Sequence, residues 1–216
     1  MVHHLGERNS IFNVFISQLR NVEVQGDSMR FRRNLERVGE IMAYEVSKTL
    51  NFASEEIVTP LGISEMRLPN DQIVLGTILR AGLPMHQGFL NYFDSAQNAF
   101  ISAYRKHHKN NTFEIHIEYL SSPSIEGKVL ILTDPMLATG QSMVLAYRAI
   151  AERLGKPSHL HVCAALASET GLEYTKANLP VNSTIWVGAV DPELNAKSYI
   201  IPGLGDAGDL AFGQKI

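Results

Sequence analysis

Asp134 ends the apolar run VLILT (129–133), and a few residues later Ala138, Thr139, Gly140, Gln141 and Ser142 bring in a new helical pattern. A helix begins with amide groups that have no partner inside it, and these sit at its positive end. An anion fits there, with the Thr139 and Ser142 hydroxyls as extra donors and Gly140 allowing close backbone approach. Asp134 can accept hydrogen bonds from sugar hydroxyls. The stretch thus suits a ribose 5-phosphate, although spacing alone equally allows Thr139 and Ser142 to be helix caps and Asp134 a turn residue. Two other apolar runs end in arginine. QIVLGTIL (72–79) leads into Arg80, Ala81 and Gly82, and AFISAY (99–104) leads into Arg105. Guanidinium groups pair with phosphate oxygens in two-point fashion, so one rim would carry groups for both phosphates and hydroxyls.

These residues need strand ends to hold them. The runs at 72–79, 99–104, 129–133, 159–166 and 184–190 are apolar on both faces, as in strands of a parallel sheet covered by helices. A helical stripe of Met143, Tyr147, Ile150 and Leu154 should begin near Gly140 and stop at Gly155, with Pro157 beyond. An earlier stripe over 29–50 places Phe31, Leu35, Val38, Met42 and Val46 on one face, behind Asp27 and Ser28 as caps. Alternating strands and helices predict a mostly parallel central sheet flanked by helices, with ligands beyond the carboxyl ends of the strands. No linker divides the chain, so residues 1–216 read as one domain.

Composition narrows the function. The chain is 45% hydrophobic with a formal charge of −3 and no basic block, which gives no electrostatic case for nucleic-acid binding. No membrane span or signal peptide is visible, and Cys163 is the single cysteine, expected to be buried; a cytoplasmic location follows as the expectation. No Walker A loop is present. Gly203, Gly205 and Gly208 do match G-x-G-x-x-G, but too few residues follow for the βαβ unit a dinucleotide site requires. That segment is instead a glycine-dense loop with Asp206 and Asp209, able to read a small planar ligand through its main chain.

Taken together, ILRAGLPM (78–85), the 131–143 stretch and YIIPGLGDAGD (199–209) resemble, in order, the motifs of the type I phosphoribosyltransferases, and most closely their uracil-specific branch. The Asp134-Pro135 pair, in place of two adjacent acids, is characteristic of that branch. Gln141 and the run Pro84-Met85-His86 depart from its usual pattern. The resemblance implies a transferase acting on uracil and 5-phosphoribosyl 1-diphosphate (PRPP) with Mg²⁺, yielding UMP and pyrophosphate. It implies that Arg80, Ala81 and Gly82 hold the diphosphate and that Arg105 contacts PRPP from the edge. Asp134 would bind the ribose hydroxyls, with Pro135 and Met136 beside it, while Leu137, Ala138, Thr139, Gly140, Gln141 and Ser142 wrap the 5-phosphate. Uracil would be read by the backbone of Ile200, Gly205 and Ala207 within a base segment at about 199–213. Asp206 would serve PRPP and the metal. Asp134, Asp206 and Arg80 are the expected catalytic groups.

A hairpin over about 104–120, turning at Asn110-Asn111, would form a hood over the substrates. His107 and His108 near its tip should point to opposite faces rather than share a metal. His3 and His4 read as an unstructured terminus, and the residues before about 71 contribute little to the resemblance. A homodimer or homotetramer and a GTP effector are further implications of the resemblance, with apolar residues of the amino-terminal helices available for an interface. Two other readings share the donor motif: a PRPP-binding regulator that binds RNA, and a transferase for another base.

Overall fold

The computed structural model describes residues 1–107 and 113–215, with side chains undescribed over 103–116. Along the chain come β1 (Val2–His4), α1 (Ile11–Arg20), α2 (Val22–Gln25), α3 (Ser28–Ser47), β2 (Phe52–Thr59), β3 (Gly62–Pro69), β4 (Ile73–Leu79) and α4 (Leu83–Leu90). Then follow β5 (Gln97–His107), β6 (Phe113–Ser121), β7 (Val129–Thr133), β8 (Met136–Leu137), α5 (Gln141–Leu154), β9 (His159–Ser168) and α6 (Glu169–Asn178). The last elements are β10 (Ser183–Asp191), β11 (Glu193–Leu194), β12 (Ile200–Ile201) and α7 (Ala207–Phe212).

The main sheet runs β1-β10-β9-β7-β4-β5-β6, with β8 alongside β9. Its pairings are parallel except β6, which lies antiparallel to β5. Side chains alternate across it as strand geometry demands. Leu75, Ile131, Cys163, Ala165 and Trp186 pack with α1, α3, α4 and α7 on one face. Val74, Leu130, Leu132, Val162, Ala164 and Val187 pack with α5 and α6 on the other. Burial on both faces is why these strands are apolar throughout. Cys163 lies fully inside this core, and burial raises its thiol pKa.

Local signals place the helices. Asp27 caps α3 by accepting from the amides of Met29 and Arg30, and α5 ends at Gly155 with φ at 99°. The apolar stripe of α3 (Phe31, Leu35, Val38, Met42 and Val46) is entirely buried. Pro84 stands in the first turn of α4, where a missing amide costs nothing, and His86 is buried with Nε2 2.8 Å from Asn98 Oδ1.

Two features go beyond the sequence reading. The amino terminus is structured: β1 pairs with β10, and His3 stacks on Trp186 with ring centroids 4.1 Å apart. The expectation of an unstructured His3-His4 terminus is therefore corrected, because β10 would otherwise leave an edge beside Trp186. Second, β2 and β3 form a separate antiparallel hairpin, and it exposes Val58, Leu61, Ile63 and Met66. Where the sequence predicts a hairpin over about 104–120, β5 and β6 pair antiparallel from Phe100↔Ser121 to His107↔Phe113. The turn at Asn110-Asn111, and His108, lie outside the described residues, as does the side chain of His107.

Behind β1, Trp186 Nε1 donates to Nδ1 of His161 at 3.1 Å, which requires a neutral imidazole. Burial, then the neighbouring His159 and His3, lower the His161 pKa to about 3, with Asp71 opposing them. A folded pKa below the ordinary 6.5 means that the unfolded chain binds the proton more readily. Stability should thus be lost as pH falls from about 6.5 toward 3, by at most ~1.4 kcal/mol per pH unit from this group. Melting curves across that range should fall less steeply for His161→Gln than for the parent. Parallel curves would assign the acid sensitivity elsewhere.

Candidate active site

Strand β7 brings Asp134 to the rim of the sheet. Its amide donates to the Cys163 carbonyl at 3.1 Å, and its Oδ1 accepts from Met136 N–H at 3.0 Å. Burial raises the Asp134 pKa to about 7, and the Met136 hydrogen bond only partly offsets it. Placing a carboxylate so that its charged form is disfavoured is costly unless a ligand compensates.

Beyond Asp134 the backbone has a definite polarity. Pro135 is buried and its carbonyl accepts from Leu166 N–H at 2.9 Å, while Met136 and Leu137 pair with Leu166 and Ala167 as β8 against β9. The Ala138 carbonyl accepts from the Ser168 hydroxyl at 2.5 Å. A Cβ on Gly171 would collide with the carbonyls of Leu137 and Ala138, so only glycine lets α6 come this close beneath the loop. Gly140 then takes φ of 73° and starts α5 with no side-chain cap, leaving the first amides of that helix to an outside acceptor. Thr139 Oγ1 lies 3.5 Å from the Gln141 amide, at the limit of a hydrogen bond. This favours the anion-binding alternative over plain capping.

The arginine loop follows β4 through a cis peptide bond between Leu79 and Arg80. Gly82 packs tightly, since a Cβ there would meet Thr77 Oγ1, the Ile78 carbonyl and the Thr133 carbonyl. The loop is thereby keyed to the end of β7. Arg80 Nη2 donates to Asp209 Oδ1 and to the Gly213 carbonyl, each at 3.1 Å.

The base segment is held from a distance. Arg20 on α1 makes a two-point ion pair with Asp191 at 2.7 and 2.8 Å and also donates to the Gly203 carbonyl at 3.1 Å. Asp191 accepts in turn from Gly203 N–H at 2.9 Å. Burial alone would raise the Asp191 pKa, but the Arg20 hydrogen bond, with the Gly203 amide and the arginine charge, lowers it. On α3, Arg32 donates to the Ala211 carbonyl at 2.6 Å, which fixes the far end of α7. Asp206 caps α7 by accepting from Asp209 N–H at 2.9 Å. The glycine-rich loop opens only this six-residue helix, in keeping with the rejection of a dinucleotide fold.

The three segments meet at one cavity of about 490 Å³, lined by Ala81, Asp134, Met136, Ala138, Ser142, Ile200, Gly205, Asp206 and Ala207 among others. Arg80, Gly82, Thr139, Gly140 and Gln141 are not among its lining residues, though Arg80 Nη2 is 3.8 Å from where a Cβ on Gly208 would stand. Pro135 and Leu137 are buried behind the wall and serve the loop's shape. The backbone of Arg105 is in β5, and its side chain lies outside the described residues. Tyr199 and Gly208 of the expected base segment also line the cavity, as do Lys197, Ser198 and Lys215, which were missed in the sequence. So were Arg20, Arg32 and Asp191, for which no local motif gives a signal. A larger cavity of about 790 Å³ lies between α1 and α6, away from this constellation.

The fold defines a class. Orotate phosphoribosyltransferase of Mycobacterium tuberculosis in complex with PRPP has a TM-score of 0.51 to this chain, at 11% identity over 87% of this chain and 95% of that one. This is the type I phosphoribosyltransferase fold. A protein of Aquifex aeolicus, AQ2163, matches over the full length of both chains with a TM-score of 0.88 and 30% identity. The family described as uracil phosphoribosyltransferase matches residues 8–214. Uracil phosphoribosyltransferase of Porphyromonas gingivalis is 54% identical over all of this chain and 99% of its own. That of Thermococcus gammatolerans is 37% identical, covering 88% of this chain and 84% of its own. The chain belongs to the uracil phosphoribosyltransferase family.

Half-buried at the cavity wall with a raised pKa, Asp134 destabilises the fold as pH rises from its ordinary 3.8 through about 7. Asp134→Asn should therefore melt several degrees above the parent at pH 8, with the gap closing toward pH 4, while turnover falls by roughly 10²-fold or more. The parent's kcat/KM should rise with pH through about 7 as Asp134 ionises. The same acid limb persisting in Asp134→Asn would assign it to the donor's own phosphate groups.

Proposed function

We propose that the protein transfers the phosphoribosyl group of PRPP to N1 of uracil. The N1–C1′ bond forms as the C1′–oxygen bond to diphosphate breaks, and the N1 proton leaves, giving UMP and pyrophosphate. The observation that carries this reading is that Ala81 of the arginine loop, Asp134 and Ser142 at the ends of the 134–142 segment, and Ile200, Gly205 and Ala207 of the base segment line a single cavity. The family membership supports the acceptor base.

Each wall has a task in this reading. The outward amides of 139–142 hold the 5-phosphate and orient the sugar. Asp134 accepts hydrogen bonds from the ribose hydroxyls and lies near the positive charge that develops at C1′, where a fixed carboxylate stabilises the transition state. Arg80 binds the departing diphosphate with the Ala81 and Gly82 backbone, and Arg105 would add an edge contact. The main chain of Ile200, Gly205 and Ala207 reads the uracil carbonyls and ring N–H. Asp206 is the carboxylate placed to accept the N1 proton or to orient the donor. The two arms of the β5–β6 hairpin are the elements that would close over the site and keep water from the donor.

Magnesium suits this donor set only as part of the substrate. Among the described residues, no group of three or more His, Cys, Asp or Glu side chains converges on a point. The diphosphate oxygens would supply most ligands, with Asp206 joining directly or through water. The ion would neutralise charge on the leaving group.

The exposed apolar hairpin of β2 and β3 is a natural subunit interface, with Leu61 99% and Val58 84% exposed on a single chain. A dimer or tetramer is the state we assign. No described helix is long and apolar enough to cross a membrane, and a cytoplasmic location fits the single buried thiol.

Purified protein incubated with PRPP, Mg²⁺ and radiolabelled uracil, cytosine, hypoxanthine or orotate should turn over uracil with strong preference. Preference for another base would overturn the specificity, and tight RNA binding without turnover would favour the regulator. Adding GTP to the same assay tests the effector, and sedimentation of the same sample should give at least twice the chain mass.

A further inference from the structure

The ion pair between Arg80 and Asp209 joins two parts of the site that are far apart in sequence. We propose that Asp209 is a positioning residue that holds Arg80 and the base segment as one unit, so that the diphosphate subsite is preformed before PRPP arrives. The inference rests on the functional reading above, in which Arg80 receives the diphosphate.

Several observations carry it. Arg80 Nη2 is shared between Asp209 Oδ1 and the Gly213 carbonyl, at 3.1 Å each, so the guanidinium is gripped from both ends of α7. A Cβ built on Gly208 would lie 3.8 Å from Arg80 Nη2 and 3.9 Å from Ala81 Cβ, which is ordinary van der Waals contact. The first turn of α7 and the arginine loop are therefore in register along their edges. Asp209 stands two residues after Ala207, and its own amide is bound by Asp206. A shift of Asp209 would thus move the base-reading backbone and the Asp206 carboxylate together. Arg80 Nε is buried and has no partner among the described groups. Arg32 secures only the far end of α7, at Ala211. The near end has Arg80.

The sign of the effect separates this role from simpler ones. Asp209 places a negative charge beside an anion subsite. If its charge were its only influence, removing it would tighten PRPP binding. If it served α7 alone, as an acid in the first turn of a helix, its loss would lower melting temperature and leave PRPP binding unchanged. Positioning predicts the opposite of the charge argument: without the tether, Arg80 must be ordered by the ligand at a cost in affinity.

The test is PRPP binding by titration calorimetry with Mg²⁺ present, together with steady-state kinetics, on the full chain. Asp209→Asn should weaken PRPP binding and raise its KM about tenfold, with a smaller change in kcat. In an Arg80→Ala background the same substitution should add little, which a merely structural role would not produce. Asp209→Ala favours helix more and serves as a second probe with the same expected direction. Unchanged or tighter PRPP binding in either variant, or full additivity with Arg80→Ala, would overturn the proposal. Failure of the parent to turn over any base would instead strike the functional reading, since the binding comparison does not depend on turnover.

Discussion

The site depends on which way two carbonyl groups point. Leu137 and Ala138 direct theirs toward α6, where the Ser168 hydroxyl takes one and Gly171 leaves room for both. Every backbone polar group must find a partner, and fixing the carbonyls inward fixes the following amides outward. Gly140 completes the turn with a left-handed conformation, and α5 then adds its own free amides. A side chain larger than glycine at 171 would push the loop off α6 and scramble that orientation. The shape of the loop before α5 is thus a consequence of backbone packing.

Charge is placed on the same principle. Asp134 is held by a strand end where burial raises its pKa to about 7, which costs stability at neutral pH. Around the base segment the charges are instead paired. Arg20 with Asp191 and Arg80 with Asp209 each join elements more than a hundred residues apart in the chain. Asp191 is buried, so losing Arg20 would leave a costly orphan, whereas the Arg80 and Asp209 side chains are 38% and 33% exposed and their pair sets geometry more than stability. The glycine-rich loop before α7 is held still by side chains that come from α1, α3 and β10.

Much of this was legible in the chain itself. Asp134, the glycine at 140 and the apolar run before them mark a strand, a turn and a helix by local rules, and the structure places each within a residue or two of expectation. The strands of the central sheet could be read because burial on both faces demands unbroken apolar runs. In the first seventy residues α3 could be read from its apolar stripe and its Asp27 cap, but β1 and the β2–β3 hairpin could not. The β2–β3 hairpin exposes apolar side chains rather than alternating them against a core, so its pattern carries no inward face to detect. His3 gave no hint of order because its partner, Trp186, is brought to it only by the completed sheet. Arg20 and Arg32 look like ordinary surface cations until tertiary contacts show what they hold. Lys197 and Lys215 reach the cavity by the same long-range folding. Local physics marks where chemistry could occur, and the supports come from pairs that only topology brings together.

The central claim is that the outward amides at the start of α5 hold the donor's 5-phosphate. A crystal structure of the protein with PRPP and Mg²⁺ tests it most directly. The account predicts phosphate density within hydrogen-bonding distance of the 139–142 amides, with the ribose hydroxyls against Asp134. Density for the donor elsewhere, with those amides facing only solvent, would contradict it.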